Sequence, residues 1–242
     1  MLWFFHDPLY LIATAVGLVL TLWAQFRVKS AFARFSQVGV RSGMTGAEAA
    51  AAVARAGNAS GIRIERHQGF LSDHYDPRSR TLRLSPDVYD GRSVASIAVA
   101  AHEAGHAIQH AVDYPALGFR SALVPIANIG NTLWSLPFII GLSLAGGQDL
   151  AGRSSMGQTL MSIGILMFAG VVLFQMVTLP VEFDASRRAK AVLAQAGIVQ
   201  SADEARGVDK VLDAAALTYV AAALAGVLQL IALIARANQR RD

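Results

Sequence analysis

The stretch VAAHEAGHAIQHA, residues 99–111, carries three of the chain's six histidines, His102, His106 and His110. On a helix, side chains four residues apart share a face and stand about one turn apart. His102 and His106 are therefore expected to reach one ion together. Glu103 follows the first of them, where a carboxylate can take a proton from water on the metal, the mechanics of the HExxH arrangement. His106 and His110 have the same spacing, but Ala107 stands where such a base would be needed. His110 falls about 80° round the helix from His102 and two turns along, too far for the same ion. The remaining residues are mostly Val, Ala and Ile, and such a helix has little reason to carry two imidazoles and a carboxylate unless they share a task. Gly105 costs a helix about 1 kcal/mol relative to alanine, so a close neighbour is expected there.

Outward from this helix the chain is more apolar than a typical soluble domain, with 54% hydrophobic and 16% charged residues among 242. The absence of cysteine excludes disulfides, thiolate metal sites and cysteine nucleophiles, so any metal must take nitrogen or oxygen ligands. The formal charge of +4 is modest. No basic stripe interleaved with aromatics is present, and no nucleic-acid partner is expected.

Four apolar runs punctuate the sequence: Leu9 to Phe26, about Leu123 to Ala145, about Thr159 to Val181, and Ala214 to Ala235. Each is long enough to cross a bilayer. The first reads as an uncleaved anchor, because MLWFFHDP lacks a basic leader and Arg27 and Lys29 would precede a cut at AlaPheAla, 31–33. Between the first two runs, Thr45 with Glu48 predicts a capped helix. GIRIER (61–66) and RTLRLS (80–85) alternate as half-buried strands do, and LSDHYDPRS between them suggests a long hairpin. Ser93 to Val112 reads as the next helix, ended by Asp113 and Pro115. The second and third runs, separated by GGQDLAGRSS, form a membrane hairpin. Asn128 and Asn131 within it suit hydrogen bonding between helices.

Basic residues set the orientation. Arg27, Lys29, Arg34 and Arg41 follow the first run, and Arg187, Arg188, Lys190, Arg206 and Lys210 lie in 182–213, whereas MLWFFHDP has none. The positive-inside rule then puts the polar parts in the cytoplasm. Arg236, Arg240 and Arg241 dissent, since four crossings leave them outside.

Two histidines need a third protein ligand, with a further position open to water for catalysis. Two crossings return the chain to the side it left, so Glu182 shares a side with His102, while Asp149 does not. Asp184 is the close competitor for this place, with Asp73 and His74 of DHYDP as outside candidates. Asp73, His74 and Tyr75 could also line a substrate cleft, Tyr75 assisting an oxyanion, or simply shape a turn.

The run GFLSDHYDPRSRTLRLSPDVYDGRSVASIAVAAHEAGHAIQH (69–110), a membrane hairpin and LPVEFDASRRA (179–189) together resemble the bacterial YugP-type neutral zinc metallopeptidases, over nearly the whole chain. That resemblance implies an integral membrane zinc peptidase and leaves the substrate open. A looser similarity joins the chain to membrane proteases of the CAAX-processing and heat-shock type, whose later glutamate ligand sits in a Glu-x-x-Ala-Asp-like pattern. Glu182 and Ala185 match it, but Ser186 replaces the aspartate, so Asp184 is a candidate to orient a histidine instead.

The expected fold is an α-helical membrane protein with a small α+β, zincin-like metallopeptidase part. Its segments are an anchor (1–26), an α+β part with the HExxH helix (27–120), a transmembrane hairpin (121–181), a segment with the third ligand (182–213), and a last transmembrane helix and tail (214–242). The expected function is that of a zinc metalloendopeptidase of the bacterial inner membrane, acting on protein or peptide substrates from the cytoplasmic side. Zn2+ would be held by His102, His106 and Glu182, with Glu103 as general base. The alternative is a non-catalytic zinc-binding scaffold for a partner protein, which a closed site with His74 or Asp184 as fourth ligand would mark. The sequence leaves the oligomeric state open.

Overall fold

A capped helix opens the described chain: Asp7 Oδ1 accepts from the backbone N–H groups of Leu9 and Tyr10, at 3.0 and 3.2 Å. The computed structural model describes residues 7–69, 72–145 and 153–239. Asp149, most of the expected 146–155 loop, Leu71, Arg240 and Arg241 lie outside the described residues. The elements run α1 (Pro8–Phe35), α2 (Gly46–Ala56), β1 (Arg63–Arg66), β2 (His74–Asp76), β3 (Thr81–Leu84), α3 (Pro86–Tyr89), α4 (Val94–Ala111), α5 (Pro115–Leu133), α6 (Ser135–Ala145), α7 (Arg153–Gln195) and α8 (Ala202–Asn238). This is a helical membrane protein with a small α+β part. The boundaries read from hydropathy at 26/27, 181/182 and 213/214 fall inside continuous helices, because polar residues replace apolar ones without interrupting the backbone ladder.

The chain divides into two units, described separately. One comprises Ala24–Gly118 and Leu179–Thr218. Its core gathers Val53 of α2, Leu82 and Leu84 of β3, Ile97, Ala98, Ala101 and Ala104 of α4, and Leu193 of α7. Seven alanines among the 18 residues of α4 let its neighbours approach from several sides. Local signals fix the ends of these helices. Thr45 Oγ1 accepts from Glu48 N while Glu48 Oε2 accepts from Thr45 N, the reciprocal cap of α2. Ser93 Oγ accepts from Ser96 N at the start of α4. Past its end Asp113 turns to φ +49° before Pro115 opens α5.

The sheet corrects one expectation. β1 and β3 are not arms of a hairpin but pair in parallel, Arg63 opposite Thr81 and Arg66 opposite Leu84. The expected turn region supplies β2, which pairs antiparallel with β3, Tyr75 opposite Leu82, for an order β1-β3-β2. Alternation shows which face of a strand is buried and says nothing of its direction. Asp76 stabilises the short β2–β3 turn: Oδ2 accepts from Ser79 Oγ at 2.7 Å and from Arg83, and Oδ1 from Arg78 N. These donors pull its pKa down to about 2.

The other unit comprises Met1–Trp23, Phe119–Thr178 and Tyr219–Asp242. α1, Ser155–Gln195 of α7, and α8 are each long and apolar enough to cross a membrane. The second expected span is a pair, α5 and α6, bent by 44°, so the described residues hold three spans, or four with this pair as one. Pro137 explains the break. Having no N–H, it offers nothing to the Leu133 carbonyl at the end of α5. α6 meets α7 backbone to backbone, and a Cβ on Gly141 would stand 2.5 Å from the Gly157 carbonyl oxygen. Arg236 of α8 lies 3.5 Å from Asp7, so one of the three dissenting C-terminal arginines has a carboxylate partner.

Candidate metal centre

α4 presents His102 and His106 on one face, as i, i+4 spacing requires, with ring centroids 4.8 Å apart and planes nearly perpendicular. α7 brings Glu182 between them. Glu182 Oε2 lies 3.1 Å from His102 Nε2 and 3.4 Å from His106 Nε2, and its side chain is 2% exposed. Donor atoms of the three all lie within 4.8 Å of one another, and no fourth His, Asp or Glu joins the group among the described residues.

The fit to an ion is good on these distances. Nitrogen and oxygen donors at about 2.0–2.1 Å around a tetrahedral zinc stand about 3.3 Å from each other, close to the two separations seen. Two imidazoles and a carboxylate, buried together, also match the donors zinc takes in open sites. Burial disfavours a charged His106 ring, but the hydrogen bond and charge of Glu182 prevail and hold its pKa above the usual histidine value.

The turn of α7 carrying Glu182 is delivered by close helix contact. A Cβ on Gly105 would stand 2.5 Å from the carbonyl oxygen of Ala185, one turn past Glu182. This is the close neighbour that a glycine in mid-helix predicts. Glu103, the residue after His102, is buried and makes no hydrogen bond or ion pair with any described residue, so its carboxylate is uncommitted.

The remaining candidates separate. Asp184 is not in the converging group; its Oδ2 accepts from Gln109 Nε2 at 2.9 Å and from Arg188, and Oδ1 from Arg187. His74 is exposed, with Nδ1 2.9 Å from the Ser72 carbonyl and its ring edge-on to His67. Asp73 accepts from Ser85 N at 2.7 Å and from Ser85 Oγ. Burial raises its pKa, the Ser85 bonds oppose this, and repulsion from Glu103 adds to the rise. Tyr75 Oη is 2.8 Å from His110 Nδ1, away from the converging group, and His110 is thereby engaged with β2.

Comparison with known proteins accords with this geometry. A family model described as "Putative neutral zinc metallopeptidase" matches residues 10–238. The chain belongs to this family. It is 43% identical over 226 residues, 93% of its length and 95% of the relative's, to "Putative membrane protease YugP" of Bacillus subtilis (strain 168). No solved structure matches.

Two polar residues at this family member's site escaped the sequence reading. Ser186, which breaks the aspartate pattern, is itself the neighbour of a candidate ligand, with Oγ 3.1 Å from His102 Nδ1. Gln109 is fully buried, with Oε1 3.0 Å from His106 Nδ1. Its signal was available: an amide three residues past His106, on the same helical face.

Proposed function

We propose that this chain is a membrane-bound, zinc-dependent metalloendopeptidase that hydrolyses peptide bonds, with zinc held by His102, His106 and Glu182. The observation that carries the reading is the convergence of three buried donors beside an uncommitted Glu103. Zinc, when bound, would supply a Lewis acid that polarises the scissile carbonyl and acidifies water. Glu103 would take the proton from the attacking water and pass it to the leaving amine. His102 and His106 keep Nε2 for the ion because Ser186 and Gln109 engage their Nδ1 atoms. An open site is favoured over a closed structural one, because neither His74 nor Asp184 joins the donors.

The free edge of β2 suits an extended substrate. β2 is an outer strand, paired on one side by β3, and α4, which carries the two histidines and Glu103, packs against it. A peptide adding to that edge would have its backbone hydrogen-bonded by a strand that packs on the HExxH helix. The distribution of Lys and Arg supports a location in the bacterial inner membrane with this site toward the cytoplasm.

The test uses the full chain in detergent, loaded with zinc and offered casein as an unfolded substrate. Glu103→Gln keeps shape and loses the base, so zinc content should stay while cleavage falls about 100-fold or more. Undiminished cleavage by that variant would remove Glu103 from the mechanism.

A further inference from the structure

Gln109 sits at the junction of α4 and α7 with every polar hydrogen in use. Its Nε2 donates to the Val181 carbonyl at 2.7 Å and to Asp184 Oδ2 at 2.9 Å, and the side chain is fully buried. Both acceptors can only accept, so the amide has one satisfactory orientation. Reversing it would set Oε1 against a carbonyl and a carboxylate in a site that water cannot relieve. Oε1 is therefore committed to His106 Nδ1, 3.0 Å away, and that nitrogen must carry the hydrogen.

We infer that Gln109 is a positioning residue: fixed by Asp184 and Val181, it holds His106 with a proton on Nδ1, which leaves Nε2, 3.4 Å from Glu182 Oε2, as the nitrogen available to the ion. The chain of constraint runs further back. Asp184 is gripped by Arg187 and Arg188, and the Arg188 guanidinium lies 5.7 Å from the centre of the Tyr114 ring, just past the end of α4. Val181 and Asp184 flank Glu182 on the same turn of α7. One amide thus ties the orientation of the second imidazole to the helical turn that delivers the carboxylate. Ser186 does less for His102, because a hydroxyl can turn to donate or accept and imposes no tautomer.

This inference rests on the zinc reading and deepens it. The test measures the zinc dissociation constant of the full chain in detergent by competition with a chromophoric chelator. Gln109→Met has similar length and no acceptor, and should bind zinc about 10-fold to 100-fold more weakly than wild type. Gln109→Asn keeps an amide too short to reach both partners; it should weaken binding comparably and serves if the Met variant does not fold. In zinc-loaded, 15N-histidine-labelled wild type, the His106 Nδ1–H should be protected from solvent exchange. The two Gln109 single variants should lose that protection, a signature that mere core packing would not produce. Wild-type affinity in Gln109→Met or Gln109→Asn overturns the inference alone. A wild-type chain that binds no zinc overturns the metal reading as well.

Discussion

Gly105→Ala sets helix propensity against helix contact at the candidate metal centre. Alanine should favour α4 by about 1 kcal/mol if nothing else changes. The added Cβ, however, would stand 2.5 Å from the Ala185 carbonyl oxygen and 3.0 Å from its carbon. Ordinary contact begins at about 3.4 Å, so the two backbones must part by about 0.9 Å. Glu182 lies one turn before Ala185 and moves with it, opening the 3.1 Å gap to His102 Nε2 toward about 4 Å, beyond the roughly 3.3 Å that donors span around one tetrahedral ion. Overpacking costs about 1–3 kcal/mol, which cancels or exceeds the helix gain. The expected result is zinc affinity lower by about tenfold or more, equivalent to about 1.4 kcal/mol, with a thermal midpoint unchanged or lower. Chelator competition and thermal unfolding in detergent measure the two quantities. Wild-type affinity together with a raised midpoint would refute the argument that this crossing delivers Glu182.

Metal content after gel filtration should sort the ligands: Glu182→Ala and His106→Ala lose most zinc, while His110→Ala stays near wild type because its partner is Tyr75; an empty site in His110→Ala would refute the assignment. Chelated protein should respond to pH through His106. A folded-state pKa raised above 6.5 gives stability that is full below the unfolded value and is lost as pH rises through the folded one, so the melting temperature of the chelated chain should fall as pH rises from just below 6.5 through the raised value. Zinc-loaded protein should show the opposite trend, since protons and metal compete for Nε2. Topology reporters fused in 146–155 should read as periplasmic and those in 196–201 as cytoplasmic; the reverse pattern would place the metal centre outside.

The site was legible where chemistry is local and opaque where it depends on orientation. The spacing of His102, Glu103 and His106 within α4 is a property of five consecutive residues. Glu182 could be paired with them only by reasoning about the side of the membrane to which the chain returns. Glu48 and Thr45 announced α2 because a capping box is written in four positions. The parallel pairing of β1 with β3 was hidden, since alternating apolar residues carry no strand direction. The bend between α5 and α6 was signalled by Pro137, which hydropathy averages away. Ser186 looked like a missing aspartate, yet it lies at His102, while the nearby acid reaches His106 through Gln109.

The contact between His102 and Glu182 joins residues 80 apart in the chain. During synthesis the first two proposed ligands leave the ribosome well before the third, by about 4–16 s at bacterial or slower elongation rates. In that interval the nascent chain has both imidazoles and Glu103 but no carboxylate to complete the set. The 43-residue α7 must be made through Glu182 before the centre can close. If the three donors hold zinc, the chain takes up the ion only once α7 has been made through Glu182, and shows no peptidase activity before that. Arrested chains ending before Glu182 should bind zinc no better than Glu182→Ala.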